Sequence, residues 1–139
     1  MPLLKAGFME TQNVKQIGAG KVVLIVDDSQ AVRKMLKYVF QLDGFMDFVE
    51  ADSGQQAIEE ARQRKPDLIV LDLAMPVMGG LEAAPLLRRL LPETPIILFT
   101  LYSEEFPSPI LSSSGVTLVL AKYSPISVIL AKTHELLRN

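Results

Sequence analysis

The sequence predicts an α/β fold built on an open, doubly wound parallel sheet, and three observations carry that prediction. Short apolar runs of strand length, rich in Val, Ile and Leu, recur along the chain, as strands buried on both faces do. Segments with helical spacing separate them, so strands and helices alternate, the pattern of right-handed parallel crossovers. The most apolar runs end on polar or charged residues, and in a parallel sheet those ends share one edge.

Residues 1–20 have mixed polarity and close on Gly18-Ala19-Gly20. They read as an N-terminal extension outside the core, with the domain itself spanning 21–139. Gly18-Ala19-Gly20-Lys21 has a trace of a phosphate loop. It precedes a strand instead of following one, however, and Val22 stands where a Ser or Thr belongs.

Val22–Val26 is the first strand and runs into Asp27-Asp28. Ser29 can cap the helix that follows. There Ala31, Val32, Met35, Leu36, Val39 and Phe40 recur as one buried stripe, and Asp43-Gly44 stops it. Phe45 to Ala51 is a more polar strand, suited to a sheet edge. Ser53-Gly54 opens a second helix with Ala57, Ile58 and Ala61 inward and with Arg62, Arg64 and Lys65 at the negative end of its dipole.

Pro66 begins the run on which the chain is centred, Asp67-Leu68-Ile69-Val70-Leu71-Asp72. A carboxylate ending a buried strand must emerge at solvent or find a partner, because isolated burial would neutralise it. Met75 to Gly80 follows as a loop, its glycine pair supplying turn freedom. A third helix covers roughly Leu81 to Leu91, with Pro85 predicting a late start or a kink. Ile96–Thr100 is the fourth strand. Tyr102 to Ser114 holds a short fourth helix, limited by Pro107 and Pro109. Val116 to Ala121 is the fifth strand and leads to Lys122. Pro125 starts a final helix with Ile126, Ile129, Leu130 and Leu137 inward, and His134 reads as a surface residue.

At 139 residues, with 49% apolar and 22% charged residues, the chain suits one domain with a real core. A net charge of −2 provides no electrostatic footprint for nucleic acid or an anionic membrane. The absence of cysteine excludes disulfides and thiolate metal sites. No apolar run approaches the ~18 residues of a membrane span. A soluble cytoplasmic protein is the expectation.

Asp27, Asp28, Asp72, Thr100 and Lys122 thus share one sheet edge. At ~6 Å and an effective dielectric near 20, each pair of carboxylates repels by about 3 kcal/mol. Such a site invites a small hard cation, and magnesium suits it because it keeps waters that a phosphate can replace. Lys122 offers a point charge to an anion, and Thr100 a hydroxyl. The central carboxylate can act as nucleophile and become an aspartyl-phosphate.

With Val26-Asp27-Asp28-Ser29, the Asp72-to-Gly80 loop, Thr100 and Lys122 in this order, the chain from about Lys21 to Arg138 resembles a receiver domain of the two-component response regulators, and in particular a single-domain one. The resemblance implies a flavodoxin-like (βα)5 fold with strand order 2-1-3-4-5. It implies that Asp72 accepts phosphate from a sensor histidine kinase or histidine phosphotransfer protein, and that the domain catalyses its own phosphorylation and hydrolysis with no external substrate. Asp27, Asp28 and Asp72 would hold Mg2+ with the backbone carbonyl of Ala74, while Thr100 and Lys122 read the phosphate. The implied output surface is the fourth helix, fifth strand and fifth helix, with Phe106, Ile110 and Leu111 as contacts and no nucleic acid or membrane bound directly.

The chain departs from the family pattern at four places. Leu101 is bulky where a small residue is usual, and Val119 replaces an aromatic. Tyr123 replaces the proline after the lysine, which predicts a trans bond, since cis to a non-proline costs about 3–4 kcal/mol. The fourth helix is broken by proline. These departures sustain an alternative, a pseudo-receiver that binds partners without phosphate. A flavin- or nucleotide-binding protein on the same fold is a third reading, but it wants a hydroxyl- or glycine-rich loop where Asp27-Asp28 stands.

Overall fold

The computed structural model describes residues 17–101 and 113–138. Five strands, β1 Val22–Val26, β2 Asp47–Ala51, β3 Leu68–Asp72, β4 Ile96–Thr100 and β5 Leu118–Ala121, form one sheet in the order β2-β1-β3-β4-β5. Every pairing is parallel. This is the flavodoxin-like arrangement that the sequence implied. Among the described residues, helices α1 Gln30–Gln41, α2 Gly54–Arg64 and α3 Gly80–Leu90 lie between strands, and a C-terminal helix spans Ile126–Leu137. No helix among the described residues is long and apolar enough to cross a membrane.

The period-two alternation of the strands sorts their side chains into two cores. Val23, Ile25, Val70, Ile97 and Phe99 face one way and meet Leu36, Val39 and Phe40 of α1 and Ile129 of the C-terminal helix. Leu24, Val26, Ile69, Leu71 and Ile96 face the other way and meet Ala57 and Ala61 of α2 and Ala83, Ala84 and Leu87 of α3. Small residues on α2 and α3 let both helices lie close to the sheet. With both faces covered, the inner strands have no polar side, which is why they read as continuous apolar runs.

Local signals act where expected. Ser29 Oγ accepts from the Val32 N–H, and Ser53 Oγ from the Gln56 N–H, capping α1 and α2. Gly44 takes φ 88° after α1. Strand β2 lies at the sheet edge, as its polarity required.

Several expectations need correction. Ile17, assigned to an extension outside the core, is buried, and the Gly18 N–H donates to the Asp43 carbonyl at 3.0 Å. A side chain at Gly18 would collide with Phe45. Met35 is 38% exposed and Ile126 44% exposed, so the inner stripes of their helices are narrower than the spacing indicated. Helix α3 starts at Gly80 and runs through Pro85 with no late start. Burial of Ala83, Ala84 and Leu87 outweighs the hydrogen bond that proline cannot make. His134 is half-buried and places Nε2 2.7 Å from Asp43 Oδ2, joining the C-terminal helix to the turn after α1. The expected fourth helix falls largely outside the described residues; within them, Ser113 and Ser114 are helical.

Candidate functional site

Strands β1, β3, β4 and β5 are contiguous in the sheet, and their carboxyl ends deliver Asp27, Asp72, Thr100 and Lys122 to one place. The ladder continues one residue past two of them. The Asp27 N–H donates to Ala51 O at 3.0 Å, and the Lys122 N–H to Thr100 O at 2.8 Å, so both side chains leave from fixed backbone. Asp27 is 1% exposed, Asp72 and Thr100 are also buried, and Asp28 stands exposed.

One carboxylate oxygen from each of Asp27, Asp28 and Asp72 lies within 4.8 Å of the others. Lys122 Nζ sits 2.9 Å from Asp27 Oδ2 and 3.2 Å from Asp72 Oδ1, offsetting part of the repulsion expected from the three acids. Burial, and then the Asp27 charge, raise the Asp72 pKa above the ordinary carboxylate range against the pull of Lys122. Burial opposes the Lys122 ammonium, but Asp27 and Asp72 together outweigh it and raise its pKa.

These residues fit a metal ion. Asp27 Oδ2 is buried and receives no directed hydrogen bond, only the charge of Lys122. A buried oxygen in that state beside two more carboxylates matches the donor set of a small divalent cation. Asp27 Oδ1 is already engaged with the Ser29 N–H at 2.9 Å. Ala74 directs its N–H toward Asp72 Oδ1 at 3.4 Å. A cleft of about 220 Å³ opens over the group, lined by Asp28, Asp72, Ala74, Thr100, Leu101 and Lys122.

The bulky Leu101 lines that cleft and is 59% exposed. Lys122-Tyr123 is trans, as expected from the absent proline, and Tyr123 is exposed.

The sequence reading missed one supporting residue and the role of a second. Arg33 donates to the Asp27 carbonyl and pairs with Glu50 at 2.9 Å, tying α1 to β2 behind the site. Its signal was a basic residue near the start of a helix, where the dipole disfavours it. Gly80 is the second. It does not supply turn freedom, because neither Gly79 nor Gly80 has a positive φ. A Cβ on Gly80 would lie 2.3 Å from the Asp72 carbonyl oxygen, so close approach of α3 to the end of β3 requires glycine.

Comparison with known proteins agrees with this architecture. The chain is 38% identical over 78 residues to the chemotaxis protein CheY of Thermotoga maritima, covering 56% of this chain and 65% of that one. It is 37% identical over 86 residues to the alkaline phosphatase synthesis transcriptional regulatory protein PhoP of Bacillus subtilis, covering 62% of this chain and 35% of PhoP. Both curated relatives therefore extend well beyond the match. Among solved structures, Vibrio cholerae chemotaxis protein CheY4 superposes with a TM-score of 0.77 at 29% identity, covering 86% of this chain and all of that one. Residues 23–134 match the model of the response regulator receiver domain. The match spans most of the chain and the fold agrees with it: the protein belongs to the response regulator receiver domain family.

Proposed function

We propose that this receiver domain is a phosphoacceptor, phosphorylated on Asp72 with Mg2+ by a sensor histidine kinase or histidine phosphotransfer protein. The observation that carries the reading is the buried Asp72 carboxylate in the 220 Å³ cleft, faced by Lys122 and flanked by Asp27 and Asp28. An Asp72 oxygen attacks phosphorus, a P–O bond forms, and the P–N bond of the donor phosphohistidine breaks. The imidazole nitrogen keeps the electron pair and is protonated from solvent. In hydrolysis a water oxygen attacks phosphorus, the bond to Asp72 breaks, and inorganic phosphate leaves.

Asp27, Asp28 and Asp72, with the Ala74 carbonyl, would hold Mg2+, whose charge would neutralise phosphoryl oxygens. Lys122 exchanges its contact with Asp72 for one with the phosphoryl group, and the Thr100 hydroxyl binds another oxygen. Catalysis is positioning and electrostatics.

Output passes through protein contacts in the cytoplasm, on the face that includes β5 and the C-terminal helix. Ile126 and Val128 are exposed there. Phe106, Ile110 and Leu111 lie outside the described residues. The pseudo-receiver reading draws on Leu101 in the cleft and on Tyr123 after the lysine.

Intact mass after incubation with a small phosphodonor separates the two readings. Gain of one phosphate by the native protein, only with magnesium and not in Asp72→Asn, supports the phosphoacceptor. No gain in a folded protein favours the pseudo-receiver.

A further inference from the structure

The loop after β3 holds an unusual backbone. Val77 has φ 70°, and the Met78 N–H donates to the Pro76 carbonyl at 2.8 Å, closing a γ-turn around it. A β-branched residue is rarely held in that region and is strained there. Core packing does not explain the strain, because Val77 is 93% exposed. Met78, its neighbour, is packed instead against Gly54 at the start of α2.

Between this loop and the β2–α2 turn lies a cavity of about 360 Å³, lined by Asp28, Asp52, Gln55, Pro76, Val77 and Met78 among others. Pro76, Val77 and Met78 make it apolar on one side. Asp28 and Asp52 are exposed, and neither forms an ion pair among the described residues. Ser53, also in the lining, is occupied in capping α2. Apolar surface beside two unpaired carboxylates complements an aliphatic stem with a cationic head, as in arginine or lysine. Asp28 also lines the cleft over Asp72, so the two openings adjoin at that residue.

We propose that this socket belongs to the docking surface for the phosphodonor protein, and that it receives a basic side chain of the donor while Val77 meets an adjacent apolar one. The inference rests on the phosphoacceptor reading and adds the chemistry by which the donor is chosen. Magnesium would share the charge of Asp28, so Asp52 is the carboxylate that remains to read the donor.

The test uses three phosphodonors with magnesium and follows initial phosphorylation of the full chain by intact mass. One is phosphoimidazole. The other two are synthetic peptides with a single phosphohistidine, one carrying Arg and Leu three and four residues away, the other Glu in place of Arg. The native protein is expected to favour the basic peptide by about tenfold, an electrostatic preference that salt weakens. Asp52→Asn is expected to shrink that preference several-fold and Asp52→Lys to reverse it, with phosphoimidazole rates unchanged in both. Val77→Gly is expected to slow both peptides and leave phosphoimidazole unaffected. An undiminished preference in Asp52→Lys, with phosphoimidazole labelling intact, would overturn the socket and spare the phosphoacceptor. Failure of phosphoimidazole to label even the native protein would overturn both.

Discussion

At the carboxyl edge of the sheet, three carboxylates gather, two of them paired with Lys122, and the most central, Asp72, resists ionisation. At the opposite edge a single cation, Arg88 of α3, is surrounded by acceptors. Its guanidinium donates to the carbonyls of Leu91, Pro92, Thr94 and Gly115 at 2.7–3.2 Å, and to Thr117 Oγ1 at 3.2 Å. It thus satisfies the end of α3 and holds the entries to β4 and β5 together. One edge holds like charges close together, a repulsion that a bound cation would relieve. At the other, acceptors meet all three nitrogens of the Arg88 guanidinium. The same sheet places the candidate site and the Arg88 cluster at opposite ends of its strands.

The largest expected effect tests the satisfied edge. Arg88→Ala removes several charge-assisted hydrogen bonds and leaves carbonyls to water, which should cost about 3 kcal/mol. Arg88→Lys recovers only part, since an ammonium cannot span the same acceptors. Urea unfolding measures both, and a change within about 0.5 kcal/mol for Arg88→Ala would remove the contrast between the edges.

Next in size is the response to magnesium. If the three acids hold magnesium as proposed, the ion at ten times its Kd should raise the stability of the native protein by about 1.4 kcal/mol. Asp28→Ala should respond much less, and equal shifts in the two proteins would exclude Asp28 as a ligand. Thermal melts with and without magnesium decide it.

A smaller effect probes the carboxyl edge directly. The folded-state pKa of Asp72 lies above its unfolded value, so its ionisation weakens the fold above the folded pKa and costs nothing below the unfolded one. Without metal, Asp72→Asn should therefore stabilise the protein at neutral pH, by on the order of 1 kcal/mol. The gain should vanish in acid. Asp28→Ala should gain less, because Asp28 is exposed. A loss of stability in Asp72→Asn at pH 7 would mean that Lys122 more than compensates.

The smallest effect has the opposite sign. Hydrogen bonds from Lys37 and Arg33 lower the Glu50 pKa. Its contribution is present above the unfolded pKa and is lost as pH falls through the lower, folded one. Glu50→Gln should flatten part of the acid limb of the melting profile. The pair is partly exposed, so raising the salt should shrink the difference.

Much of the fold was legible because the inner strands are buried on both faces, and burial on both faces leaves the same mark in any order of packing: an apolar run ended by a polar residue. Ser29 and Ser53 were legible for a related reason, since caps act within one turn of their own position. The residues of the site were readable as a set, because Asp27, Asp72, Thr100 and Lys122 each close or follow a strand, and a parallel sheet sends all such ends to one edge.

What the sequence by itself determined was therefore the alternation of elements and the edge at which the acids and the lysine meet. Only the tertiary structure decided the rest. It placed Lys122 between Asp27 and Asp72, kept α3 continuous through Pro85, and gave Gly80 a steric role in place of a conformational one. It also drew Ile17 into the core and paired His134 with Asp43. Arg88 carried no local signal, since the acceptors that surround it come together only when β4 and β5 are paired and α3 is docked. Propensities and caps act between residues a few positions apart. Charge pairing and close approach depend on distances that exist only after the sheet has formed.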